Sequence, residues 1–318
     1  MASSNSNISY VDFSGLGLQI EDVSQADPNQ VQNIVEELRT AFTTVGFVYL
    51  KNYGIPPEEI TMALDVSRRF FTLPESVKRK VKRPDDGNSG YVCIGLESFN
   101  KDRPSDLREA YNITPCERSA MIMPDDDLPE FRETIMALYD NCKKLSMRVL
   151  YALAMALKLE DLTFFEKNHQ YIGCGPNQTT LRTLYYPPIK NAEEVMPNQV
   201  RCGEHSDYGT ITLLWQDDCG GLEVMNRHGN YVAAEPMKDA VLVNIADLLQ
   251  FWTSDELISA KHRVMIPAAE LRQRRIRQSL AFFVHPDDDT LVTPLNGSIK
   301  HEPITALQHL LNRFSETY

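Results

Sequence analysis

The sequence predicts an α+β fold in which N-terminal helices and one long helix back a jelly roll of short strands. Helical spacing dominates the first half of the chain. From about Leu181 the texture changes to short β-rich runs separated by turn residues, as in a sandwich or jelly roll. No Pro/Ser-rich linker divides the two halves, so one cooperative unit is expected. Within it, residues 1–120 form a helical and strand region. Residues 121–318 hold the long helix, the strands and a closing helix.

Asp27-Pro28 starts the first helix, with Asp as cap and Pro at the first helical position. Val31, Ile34, Val35, Leu38, Ala41 and Phe42 follow at helical spacing, and Gly46 ends the run before a Phe47-Val48-Tyr49-Leu50 strand. A second helix spans Glu58 to about Thr72 and stops near Pro74, and residues 85–90 read as a loop. A third begins near Pro129. Its stripe of Phe131, Ile135, Leu138, Cys142, Leu145, Val149, Leu153 and Ala156 is nearly heptadic. A coiled-coil dimer would use such a stripe, but Leu150 and Ala152 widen it and favour packing within a monomer. Strands follow at 181–186, 198–202, 210–215, 221–225, 240–245, 262–266 and 277–284, and residues from Pro303 to about Ser315 form the closing helix.

Composition narrows the function. With 318 residues, 42% of them apolar, the chain can bury a substantial core. A net charge of −12 argues against a nucleic-acid surface. No apolar span reaches membrane length, and Met1-Ala2-Ser3-Ser4-Asn5 lacks the features of a secretory signal. The six cysteines form no Cys-x-x-Cys pair and read as free thiols in a reducing compartment, so a cytoplasmic protein is expected.

The residues that suggest chemistry are Tyr186, His205-Ser206-Asp207, His262 and Arg277-Gln278-Ser279. Two histidines and one carboxylate can occupy one face of a ferrous ion and leave the other open. His-x-Asp occurs twice, the second time as His285-Pro286-Asp287, where Pro286 ends the strand. The first copy lies in an extended stretch, where residues two apart point the same way, so His205 and Asp207 can reach one ion. His262, taken alone, reads more readily as a hydrogen-bonded core histidine than as a ligand. Arg277, Ser279 and Ala281 share one strand face, and Leu280, Phe282 and Val284 the other. An arginine and a serine so placed can clamp a carboxylate.

At this point the chain resembles the isopenicillin N synthase-like branch of the iron(II)- and 2-oxoglutarate-dependent dioxygenases, over nearly its whole length. Ala41-Phe42 through Gly46-Phe47-Val48 to Asn52-Tyr53-Gly54-Ile55-Pro56 is similar to the N-terminal signature, with Tyr53 where a histidine is usual. Leu181-Arg182-Thr183-Leu184-Tyr185-Tyr186-Pro187 resembles an Arg-x-Asn-Tyr-Tyr-Pro run, with Leu184 in place of Asn. Gly220-Gly221-Leu222-Glu223-Val224, Val243-Asn244-Ile245-Ala246-Asp247 and Ser259-Ala260-Lys261-His262-Arg263-Val264 match further segments. The stretch from His262 to Arg277 is longer than the family pattern, which implies a longer loop around residues 268–272.

The resemblance implies a distorted double-stranded β-helix. It implies His205, Asp207 and His262 as iron ligands, Arg277 and Ser279 as the clamp on the far carboxylate of 2-oxoglutarate, and Tyr186 as a further donor to it. Iron(II), 2-oxoglutarate and dioxygen follow as cofactor and co-substrates, with ascorbate a further candidate. The implied reaction oxidises a small organic molecule by hydroxylation, desaturation or ring closure, with release of succinate and carbon dioxide. The same fold also hosts iron oxidases that do not consume 2-oxoglutarate, and a binding protein without catalysis is a third reading. The substrate pocket is expected to involve Tyr91, Arg182, Leu184 and Phe283. By strand parity with Tyr186, Arg182 faces inward. It then needs an anion, either an internal one such as Glu204 or Glu223 or an acidic group on the substrate.

Overall fold

In the computed structural model, residues 8–85, 87–96, 104–115, 121–189, 195–266 and 275–317 are described. After strand β1 (Tyr10–Asp12), the Asp27 side chain accepts from the Asn29 amide at 2.9 Å and caps α1 (Pro28–Thr44). Gly46, with φ of 80°, takes the left-handed turn that ends this helix. A Cβ there would meet the Ile258 carbonyl oxygen at 2.1 Å, so only glycine fits. The chain continues through β2 (Phe47–Lys51), α2 (Pro57–Phe71), α3 (Glu75–Lys78), β3 (Gly90–Val92) and β4 (Glu109–Ile113). The long α4 (Glu130–Ala156) and the short α5 (Phe164–Lys167) follow.

The second half supplies β5 (Thr180–Tyr186), β6 (Cys202–His205), β7 (Ile211–Gln216), β8 (Leu222–Met225), β9 (Tyr231–Ala233) and β10 (Ala240–Ile245). Then come α6 (Asp247–Trp252), β11 (His262–Val264), β12 (Arg277–Val284), β13 (Leu291–Val292), β14 (Ile304–Thr305) and α7 (Ala306–Thr317). The closing helix starts later than Pro303 because Ile304 and Thr305 first pair with β13. Residues 198–202 are only partly strand. Asn198 takes a left-handed φ of 63°, and the regular strand starts at Cys202 and runs into His205. The loop expected around residues 268–272 lies outside the described residues.

An eight-stranded sheet in the order β1-β2-β10-β7-β12-β5-β4-β3 faces a four-stranded sheet in the order β6-β11-β8-β9, giving the jelly roll. Alternation along the large sheet sorts its side chains. Val48, Leu50, Leu213, Trp215, Val243, Leu280 and Phe282 face the helices in the main core. Tyr49, Leu242, Leu184, Tyr186 and Ala281 face the space between the sheets. Helix α4 buries its Phe131–Ala156 stripe against α1, α2 and the sheet, so the near-heptad pattern serves intramolecular packing. At Tyr53, where the family signature has histidine, the hydroxyl accepts from the Trp215 indole N–H at 3.0 Å. No described helix is long and apolar enough to cross a membrane.

Candidate active site

Strands β6 and β11 pair so that His205 lies opposite His262, with ring centroids 4.3 Å apart. Each imidazole is oriented by the carbonyl two residues before it: Nδ1 of His205 meets the Gly203 carbonyl at 2.8 Å and Nδ1 of His262 meets the Ala260 carbonyl at 3.1 Å. Both Nε2 atoms are thereby turned toward Asp207, whose Oδ1 lies 3.7 Å from each. The other carboxylate oxygen of Asp207 accepts from Thr212 Oγ1 at 2.6 Å and Asn244 Nδ2 at 2.7 Å. Among the described residues, these three side chains are the group whose ligand atoms could hold one metal ion, all within 4.8 Å of one another.

Electrostatics keep the donors in ligand form. Burial pushes both histidines below their ordinary pKa, so they are neutral bases at neutral pH. Burial also opposes ionisation of Asp207. The pull of the histidine pair when protonated and the Thr212 and Asn244 hydrogen bonds outweigh it and hold the carboxyl below its usual range. Two nitrogens and one carboxylate oxygen converging from one side fit divalent iron with open positions opposite. Fixed Nδ1 contacts and a hydrogen-bonded carboxylate are the outer support that such ligands need.

Across the same cavity stands Arg277, 1% exposed. Its Nε donates to the Gly220 carbonyl at 2.7 Å and its Nη2 to Gln216 Oε1 at 2.9 Å. The guanidinium lies 4.6 Å from the Tyr186 ring centroid. Nη1 is buried without a hydrogen-bond partner. A buried cation with an unused donor is costly unless an anion completes it. Ser279, Tyr186 and Leu184 line this cavity with the metal-ligand candidates. Its donor set therefore fits a small dicarboxylate lying between Arg277 and the metal position.

Comparison with known proteins identifies the family. Residues 8–131 match the family described as non-haem dioxygenase in morphine synthesis N-terminal, and residues 177–286 match the 2OG-Fe(II) oxygenase superfamily. A proline hydroxylase, buaE, of Petromyces alliaceus is 33% identical over 95% of this chain and 98% of its own length. This chain belongs to the iron(II)- and 2-oxoglutarate-dependent dioxygenases. The 2-oxoglutarate-dependent dioxygenase htyE of Aspergillus rugulosus is 32% identical over 93% of this chain and 96% of its own. A full-length Neurospora crassa protein, solved in complex with alpha-KG and thymine, is 29% identical with a TM-score of 0.84, covering 99% of this chain and 98% of that one.

The cavity continues outward from the three converging ligand atoms. This outer half is lined by Asn88, Arg108, Asn112, Gln178, Arg182, Tyr208 and Phe283, and Leu310 and Phe314 of α7 close over it. Phe283 and Arg108 line both halves. Arg182 lies on the inner face, as parity with Tyr186 requires. Of the two carboxylates named for it, Glu204 also accepts from Lys261 and Tyr231, and Glu223 pairs with Arg263.

Tyr91 is a correction. Reading residues 85–90 as a loop put it at the pocket, but Gly90 opens strand β3 and turns Tyr91 to the helix face of the sheet. There it packs on Phe70 and Phe71, and its hydroxyl donates to Glu109 at 2.5 Å. Sequence reasoning also missed Asn88, Asn112, Gln216, Thr212 and Asn244. For the last, a signal existed: one polar residue at an inward position of the apolar strand Val241-Leu242-Val243-Asn244-Ile245.

Proposed function

We propose that this dioxygenase hydroxylates a C–H bond of a small organic molecule bound in the outer half of the cavity. One oxygen atom of dioxygen enters the product as the hydroxyl. The other enters succinate as 2-oxoglutarate loses carbon dioxide. The observation that carries this reading is the buried, unpartnered Nη1 of Arg277, in the same cavity as the three convergent ligand atoms. A carboxylate supplies both the acceptor and the counter-charge that this buried cation lacks.

His205 and His262, through Nε2, and Asp207, through Oδ1, would hold the iron. Iron with bound 2-oxoglutarate supplies the oxidising chemistry. The protein supplies position. Thr212 and Asn244 occupy one oxygen of Asp207, which leaves the other for the metal. Arg277, fixed at Nε and Nη2, presents Nη1 to the far carboxylate of the co-substrate, and Ser279 and Tyr186 complete that end. Phe283, Leu310 and Phe314 exclude water from the substrate side.

A screen of small metabolites for succinate formation with iron(II) and 2-oxoglutarate tests this proposal. Succinate release that tracks product formation is expected. Substrate oxidation without succinate would instead favour an iron oxidase that does not consume 2-oxoglutarate.

A further inference from the structure

The outer half of the cavity carries a polar wall whose proton directions are fixed. Thr180 Oγ1 donates to the Gln178 carbonyl at 2.9 Å, so its only proton is committed. In the 2.6 Å contact between Thr114 and Thr180, Thr114 is therefore the donor. The Asn88 group facing both threonine oxygens, at 3.1 and 3.3 Å, must then be its NH2. That leaves Asn88 Oδ1 to accept from Asn112 Nδ2 at 3.1 Å. Each step follows from the one before, because two acceptors cannot face each other without a proton between them.

The chain of donors ends at Asn112 Oδ1. This oxygen is buried, accepts no hydrogen bond, and belongs to a residue 3% exposed that lines the pocket. Asn112 is paired across the β4–β5 ladder with Arg182, which lines the same pocket. One wall thus offers an acceptor beside a cationic donor. Phe283 and Tyr208 add aromatic surface around the same space.

From this wall we infer that the prime substrate presents an amide edge in a flat ring: a lactam, cyclic imide or ureide. Its ring N–H donates to Asn112 Oδ1 and its adjacent carbonyl accepts from Arg182. This rests on the proposed reading of the cavity as the substrate site of a 2-oxoglutarate-consuming hydroxylase. A carboxylate substrate suits the wall less well. It could pair with Arg182 but would set a second lone pair against Asn112 Oδ1. Thymine, held by the Neurospora crassa relative, carries such an amide edge.

The test is calorimetry on the full chain loaded with manganese(II). 2-Oxoglutarate is titrated first. Thymine, hydantoin and 2-pyrrolidone are then titrated into the loaded protein, each beside its N-methylated counterpart, with L-proline as the acidic probe. The expected result is binding of at least one of the three, weakened about tenfold or more by N-methylation, which removes the donor. Asn112→Ala should weaken the same probe about tenfold and leave the 2-oxoglutarate affinity unchanged. The ligand series needs no variant, so a folding defect in Asn112→Ala does not blunt it. Equal binding of the N-methylated compounds, binding of L-proline alone, or no binding of any ring probe to protein that holds 2-oxoglutarate would overturn the inference. Failure to bind 2-oxoglutarate itself would overturn the parent reading, and this one with it.

Discussion

The chain carries His-x-Asp twice, and the two copies have different fates. In both, the aspartate is buried, at 5% exposure for Asp207 and 3% for Asp287. Asp287 has both oxygens occupied: Oδ2 accepts from the Gln170 amide at 2.9 Å, and Oδ1 from the Tyr171 amide at 3.0 Å and Asn177 Nδ2 at 2.9 Å. It ties the loop after α5 to the end of β12, where the strand stops at Val284 just ahead of His285 and Pro286. Asp207 has its hydrogen bonds on one oxygen and turns the other to two imidazole nitrogens. The same three-residue spacing thus yields a structural carboxylate in one place and a candidate ligand in the other. What separates them is which lone pairs the surrounding fold leaves unused.

The sharpest way to break this comparison is to remove each carboxylate. Asp207→Ala should abolish succinate formation and metal binding while the chain still folds, with two buried side-chain donors losing their acceptor. Asp287→Ala should keep stoichiometric metal binding but melt markedly lower, because two backbone amides lose their acceptor at about 1–3 kcal/mol each. Metal analysis and thermal melts on both variants decide it. If Asp287→Ala loses the metal instead, the two copies have been assigned the wrong way round.

A smaller effect is expected at the co-substrate end. Arg277→Ala should weaken 2-oxoglutarate binding by about 2–5 kcal/mol, as for loss of one member of a buried charge pair. Arg275→Ala, two residues away but exposed and paired with Asp218, should change it little. Equal losses in the two, measured by calorimetry, would show that Arg277 is not the clamp.

Next comes the support of Asp207. Thr212→Val removes one of the two donors to Oδ2 and should lower metal affinity by about 10- to 100-fold. An unchanged metal titration would mean that the oxygen facing the histidines does not depend on what holds the other.

The smallest effect sharpens the contrast between the histidines. Burial pushes His285 down to about 3 and His169 down to about 4, from an ordinary value of 6.5. Between those values and 6.5 the folded chain keeps them neutral while the unfolded chain takes up protons. Their contribution to stability is therefore fully present above about pH 6.5 and is lost as pH falls toward 4. Melting of metal-free protein at pH 7 and pH 5 should differ by about 1–2 kcal/mol for each histidine. A melting temperature constant over that range would contradict their burial as neutral bases.

Legibility in the sequence follows how local each cause is. The two-residue period of β12 was enough to separate Arg277, Ser279 and Ala281 from Leu280, Phe282 and Val284, and the structure sorts them to opposite faces. The cap at Asp27 and the stop at Gly46 were equally local. Strand β4 was not legible. Its Glu109 and Asn112 are buried polar residues whose partners, Lys78 and Asn88, come from distant segments. No pattern within Glu109-Ala110-Tyr111-Asn112-Ile113 announces them. Missing β4 hid its partner β3, and with it the true direction of Tyr91. The outer cavity was lost for the same reason, since Asn88 and Asn112 acquire their roles only when β3, β4 and β5 lie side by side.

Diffraction at the iron absorption edge, from crystals grown without oxygen in iron(II) and 2-oxoglutarate, locates both the iron and the co-substrate directly. One anomalous peak per chain is expected, bounded by Nε2 of His205, Nε2 of His262 and Oδ1 of Asp207, with the far carboxylate of 2-oxoglutarate on Nη1 of Arg277. A peak at His285 and Asp287, or a co-substrate carboxylate bound away from Arg277, would contradict it.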